Sequence, residues 1–175
     1  NAPKTILEFF RSYTLVYKSS RYLVYRKTAE TIQVSTVLLV PVQKVKFNTW
    51  IDVPKSPENH IIRAKARFFK SFLGIIKSTV YKGEAFSIYY ELEDGTTFMH
   101  KIVPKNAKDG LWIDPLVLKP ERDETEAKVK RIKLKCWDER MVDEEFSIEF
   151  EGIRFKKDSD FLWRAFGKRD NSFQH

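Results

Sequence analysis

Residues 86–103 read FSIYYELEDGTTFMHKIV. Phe86, Ile88, Tyr90 and Leu92 recur at every second position, the period of a strand with one buried face. The run ends at Glu93-Asp94-Gly95, and residues 97–103 resume a β-rich pattern. Asp-Gly between two such runs is a strong local signal for a hairpin, because a turn that matches strand twist needs positive φ there. This hairpin sets the expectation for its surroundings. Downstream, residues 111–113, 117–118, Val129–Cys136 and 146–150 are further strand candidates, with Phe146, Ile148 and Phe150 alternating against Ser147 and Glu149. Upstream, Ile62, Ala64, Ala66 and Phe68 alternate with Arg63, Lys65 and Arg67, a half-buried strand whose outer face is a row of cations. Residues 37–42 and 45–51 are also β-rich, and Pro41 places its run at an edge or a bend. Gly74 interrupts the apolar residues 72–76, as a bulge or bend would.

Toward the N-terminus the pattern changes. Residues 3–12 (PKTILEFFRS) have Pro3 in a first helical turn and Ile6, Leu7, Phe9 and Phe10 spaced for one apolar face. Residues 13–17 (YTLVY) and 22–26 (YLVYR) then flank a short polar link, which reads as a second hairpin. The expected fold is mainly β: a β-sandwich of jelly-roll type (residues 36–175) preceded by a short helix and β-hairpin (residues 1–35), with a barrel as the alternative. Residues 119–128 (KPERDETEAK) read as an exposed loop and residues 158–167 as a short terminal helix. No repeat period recurs, which argues against a solenoid or propeller.

The chain has 175 residues, of which 42% are hydrophobic and one is cysteine. Those figures suit a folded domain, exclude a disulfide framework and exclude a multi-cysteine zinc site. No apolar run approaches the roughly 20 residues that span a bilayer. The formal net charge is +8, but its distribution is more informative. Residues 1–83 hold 15 Lys/Arg against 4 Asp/Glu, whereas residues 84–175 hold 17 against 20. One basic half points to a surface that meets something anionic.

Catalytic spacing is absent from the sequence. His60, His100 and His175 form no metal-binding spacing, and the six glycines form no phosphate loop. Residues 138–145 (DERMVDEE) are rich in carboxylates but flank a turn, where solvated charge is the rule. Asp123, Glu124, Asp138 and Asp143 are available to calcium, yet no site is assigned to them. Cys136 reads as a small buried hydrophobe. Trp50, Trp112, Trp137 and Trp163 either seal the core or, at an edge, stack on a sugar ring. Trp112, bracketed by Gly110 and Pro115 and followed by Asp114, is the candidate for stacking, with Asp114 bonding hydroxyls. Arg63, Lys65 and Arg67 are the candidate cations for an anionic surface. No RNP-like segment and no Gly-x-x-Gly loop occurs, so nucleic acid is not an expected partner.

Residues 7–27 (LEFFRSYTLVYKSSRYLVYRK) resemble a segment of bacterial polytopic membrane glycosyltransferases and their relatives, in which a short helix leads into a Tyr-x-Leu-Val strand and a strand ending in Tyr-Arg-Lys. In those proteins such a hairpin belongs to the soluble extracytoplasmic part that follows the membrane helices. The run from Glu93-Asp94-Gly95 to Trp112-Ile113-Asp114-Pro115-Leu116, followed by Val129–Cys136, is similar to their appended sandwich domains. The family's catalytic acid lies between membrane helices, so the resemblance assigns no catalytic residue here. It implies a domain, beginning at Asn1 just after a last membrane span, on the extracytoplasmic face of a bacterial membrane.

The expected function is therefore a non-catalytic accessory or binding domain of an envelope membrane protein of the glycosyltransferase type. Its expected partners are glycan or anionic lipid head groups and the membrane portion of the same polypeptide, with no cofactor and no metal. Two alternatives come from other classes. One is a jelly-roll hydrolase using carboxylates such as Glu91 and Asp114; the other is a structural interaction module, whose sign would be a large exposed apolar patch.

Overall fold

The computed structural model describes residues 3–18, 22–29, 31–57, 60–78, 85–113 and 128–155. The expected strand at residues 117–118, the terminal helix at 158–167, Trp163 and most of the 119–128 loop lie outside these residues.

Helix α1 (Pro3–Ser12) and the hairpin β1 (Tyr13–Lys18) and β2 (Leu23–Lys27) come first. Eight strands follow: β3 (Val34–Lys46), β4 (Trp50–Asp52), β5 (Ile61–Arg67), β6 (Phe86–Leu92), β7 (Thr97–Ile102), β8 (Leu111–Trp112), β9 (Val129–Cys136) and β10 (Glu145–Phe155). They form two antiparallel four-stranded sheets, β3-β10-β5-β8 (sheet I) and β4-β9-β6-β7 (sheet II). Of these eight strands the first pairs with the last, the second with the seventh, the third with the sixth and the fourth with the fifth. That nested pairing rolls a long antiparallel ribbon into two sheets, which is the jelly-roll arrangement.

The core lies between the sheets. Ala64, Ala66, Phe146, Ile148 and Phe150 of sheet I meet Phe86, Ile88, Tyr90, Ile132 and Leu134 of sheet II. Phe47, Phe68, Phe86 and Phe146 pack ring against ring at one end, with Phe68 stacked on Phe86 at 4.6 Å between centroids. Cys136 is buried, its thiol donating to the Asp138 carbonyl at 3.3 Å, and Phe98 stacks on Tyr90 at 4.8 Å. The β6–β7 turn forms as expected: Gly95 has φ +80° and the Thr96 N–H donates to Asp94 Oδ1.

Three local expectations change. The two runs at residues 37–42 and 45–51 form one long edge strand, β3, and a short β4. Pro41 falls where the β3–β10 register shifts, so its missing N–H is absorbed by the irregularity. Strand β10 continues five residues past Phe150, because Ile153 and Phe155 find apolar cover on the outer side of sheet I. Residues 72–76 form no bulge but part of helix α2 (Phe72–Ser78). Ser71 caps it, its Oγ accepting from the Gly74 N–H at 3.1 Å. A Cβ at Gly74 would collide with the Met141 carbonyl, so the missing side chain lets the helix sit directly on the 139–141 turn. Gly74→Ala is expected to cost about 1–3 kcal/mol by forcing these two segments apart. Urea titration followed by circular dichroism measures it, and an unchanged midpoint would show that the helix can slide at no cost.

A second cluster covers part of the outer side of sheet I. Phe10 of α1, Ile61, Trp112, Ile153 and Phe155 are buried together, with Ile6, Leu7 and Phe9 packed against them. The chain leaving β2 closes the C-terminal end of α1, with Thr28 N and Ile32 N donating to the Ser12 and Arg11 carbonyls. Lys4 reaches Asp109 at 3.0 Å, and this hydrogen bond holds the Asp109 carboxyl below its usual range. The helix is thus packed onto the sandwich. No helix among the described residues is long and apolar enough to cross a membrane.

Candidate binding faces on the two sheets

The cation row read from β5 exists, but it is not open. Antiparallel register sets Glu151 opposite Arg63, Glu149 opposite Lys65 and Ser147 opposite Arg67. Arg63 donates to Glu151 Oε2 through Nε at 3.3 Å and Nη2 at 2.7 Å. Lys65 bonds the other Glu151 oxygen and lies 3.4 Å from Glu149. Burial pushes the Glu151 carboxyl upward, but the hydrogen bonds from Lys65 and Arg63, with their charges, outweigh it and hold it below the ordinary value. Arg63 and Lys65 are therefore neutralised within the sheet, and only Arg67, at the strand end, is exposed and without a carboxylate partner among the described residues.

Trp112 is 0% exposed beneath α1 and offers no ring face to a sugar. Its carbonyl accepts the Tyr90 hydroxyl at 3.3 Å, and burial raises the Tyr90 pKa well above its ordinary value. Asp114 lies outside the described residues. Glu91, the other carboxylate considered for hydrolysis, is paired with Arg131 at 2.8 Å. Among the described residues no group of three or more His, Cys, Asp or Glu could hold a metal ion.

The outer face of sheet II is different. Ser87, Tyr89 and Glu91 of β6, Thr97, Met99 and Lys101 of β7, and Arg131, Lys133 and Lys135 of β9 alternate with the core residues, and register arranges them in rows; Val129, past the β6–β9 register shift, turns into the core. Lys101, Ser87 and Lys135 form one row, Met99, Tyr89, Lys133 and Trp50 the next, and Thr97, Glu91, Arg131 and Asp52 the third. Rows are about 7 Å apart along the strands and columns about 5 Å apart across them. Arg131 and Lys133 lie over the Trp50 ring at 4.9 and 4.6 Å, and Lys133 is also 5.3 Å from the Tyr89 ring. Trp137, just beyond β9, folds back over the first row. Its Nε1 donates to Ser87 Oγ at 3.2 Å, its backbone N–H donates to the Ala85 carbonyl, and Lys135 Nζ is 5.7 Å from its ring. The ring is anchored yet 59% exposed. Among the described residues Lys101, Lys133 and Lys135 have no carboxylate partner.

This face combines rings that can stack, amines that bind anions, and the exposed carboxylate of Asp52, which can accept from hydroxyls. None of its aromatic-cation pairs was singled out from the sequence. The alternation of Arg131, Lys133 and Lys135 with Ile132, Leu134 and Cys136 was the available signal, the same pattern that exposed β5.

No protein-family model matches the chain, and no curated protein matches it. A solved structure, that of infectious bursal disease virus Gx strain, is similar to it over 85% of this chain and 39% of that one, at 11% identity and a TM-score of 0.26.

Proposed function

We propose that this chain is a non-catalytic binding domain of a bacterial envelope membrane protein, of the glycosyltransferase type, and that it holds glycan on the outer face of sheet II at the extracytoplasmic side. The observation that carries the proposal is the ordered array of Trp50, Tyr89 and Trp137 with Lys101, Lys133 and Lys135 on one open sheet face. The envelope context rests on the resemblance of residues 7–27 to membrane glycosyltransferases. Glycan is favoured over lipid head groups because the rings and amines lie on a strand face, where an extended oligosaccharide can bed down. Binding of envelope polysaccharide fractions and of phosphatidylglycerol vesicles, measured on the wild type and on Tyr89→Ala/Lys133→Glu, tests this. Sugar-competable binding lost in the variant is the expected result. Vesicle binding without any glycan binding would overturn it.

A second reading, an interaction module, has an observation of its own. Phe69, Phe72, Leu73, Ile75 and Ile76 are all exposed around α2. Exposed apolar residues gathered on one short segment support this reading, since such surfaces serve association.

A further inference from the structure

We infer that the glycan is an anionic one, and that Trp137 with Lys101 and Lys135 forms the subsite for a sugar bearing a carboxylate or phosphate. The inference rests on the glycan reading above and narrows it to a chemical class.

The subsite is built around Ser87. This residue is fully buried at the centre of its row, with Lys135 on one side and Lys101 on the other. Its hydroxyl fixes the Trp137 indole, so the ring is held over the row. Register places the two lysine columns about 10 Å apart across β6, with the tryptophan anchored between them. A pyranose stacked on the indole would carry its acidic substituent toward one of the two ammonium groups. Neither lysine has a carboxylate partner among the described residues, so each is available to an incoming anion. Trp50 pairs with Lys133 in the next row on the far side of β9, roughly 12 Å from Ser87 by strand geometry. That separation calls for an oligosaccharide rather than a single ring.

The third row decides between an acidic glycan and single-stranded nucleic acid. Asp52 and Glu91 sit on the same face. A backbone with a phosphate at every nucleotide would run across both carboxylates, and it needs a sequence of open rings on which successive bases stack. Only Trp137 is widely exposed here; Trp50 and Tyr89 are half-buried, and cations lie over the Trp50 ring. A glycan whose acids alternate with neutral sugars meets the lysines with the acids and Asp52 with its hydroxyls.

The test is calorimetric titration with hyaluronan and unsulfated chondroitin fragments, which carry an acid on every second sugar, beside uncharged maltohexaose and cellohexaose. The wild type should prefer an acidic ligand, and the preference should fade toward 1 M salt. Lys101→Gln/Lys135→Gln should weaken acidic binding about tenfold and leave neutral binding unchanged. Trp137→Ala should weaken binding by about tenfold as well, through loss of stacking. Arg67→Gln, which removes one charge from sheet I, should change nothing, showing that position rather than net charge matters. Neutral ligands bound as well as acidic ones, with no effect of the lysine variant, would overturn the anionic subsite while the glycan reading stands. No binding to any of the four would overturn both. Tighter binding to a uridine homopolymer, lost in the same variants, would assign the face to nucleic acid instead.

Discussion

Glu151→Gln is expected to destabilise the fold by about 3 kcal/mol, the cost of removing one partner from a buried ion pair. Arg63 and Glu151 have side chains that are each only 10% exposed, and Lys65 shares the same carboxylate. The amide keeps the shape but leaves the Arg63 charge uncompensated in a place water scarcely reaches. Arg63 cannot easily swing away, because its side chain packs against the backbone of Gly110, where φ is +124° and a Cβ would strike Arg63 Cδ. The pH dependence follows from the sign of the Glu151 shift. Its folded pKa is lowered, so its contribution is present above its unfolded pKa, near 4.3, and is lost as pH falls through the folded value. Wild type and variant should therefore differ most at neutral pH and converge in acid. Urea titrations at pH 7 and pH 3 measure this, and an equal gap at both would refute the electrostatic account. A second check uses Arg63→Met/Glu151→Met, which removes both charges and should cost less than the single change.

Trp112→Ala is expected to cost about 4 kcal/mol, the range for deleting a large buried aromatic. The ring is sealed between α1 and the outer side of sheet I with Phe10, Ile61, Ile153 and Phe155. Its Nε1 is buried with no hydrogen-bond partner among the described residues, so the indole contributes through apolar packing. Trp112→Phe should then cost less than about 1.5 kcal/mol, since it removes an unsatisfied donor along with some volume. Amide exchange should show α1 released in the alanine variant before the sandwich opens. Glycan binding by the folded fraction should be unaffected, because the proposed face lies on the other sheet. If Trp112→Phe is as damaging as Trp112→Ala, the ring is held by something other than packing.

The strands with a period-two pattern and one buried face were legible from the residues alone. Val129–Cys136 matches β9 end to end, and Asp94-Gly95 marks the β6–β7 turn. Helix α2 was not legible, because the short run at residues 72–76, apolar apart from Gly74, carries no period that separates a short helix from a strand; the Ser71 cap was its local mark. The outward direction of Arg63 and Lys65 could be read, but their neutralisation could not. It depends on β10, more than eighty positions away, lying beside β5. Charge summed over halves of the chain also misleads, since Lys101, Lys133 and Lys135, which have no carboxylate partner among the described residues, belong to the half with the acidic excess. Surfaces are assembled across strands, and a sum along the chain does not see them. For Trp112 the apolar surroundings were apparent, but not that α1 would cover the ring.

Three of the four tryptophans lie among the described residues, and their three settings give the protein an optical gauge. Trp112 is shut away from solvent, Trp50 lies under two cations, and Trp137 stands in water. The emission of these three should span from blue to red, with collisional quenchers reaching Trp137 before Trp50 and Trp112. A ligand on sheet II would shield that red component, whereas loss of α1 would redden the blue one, so one spectrum separates occupancy of the face from unfolding behind it.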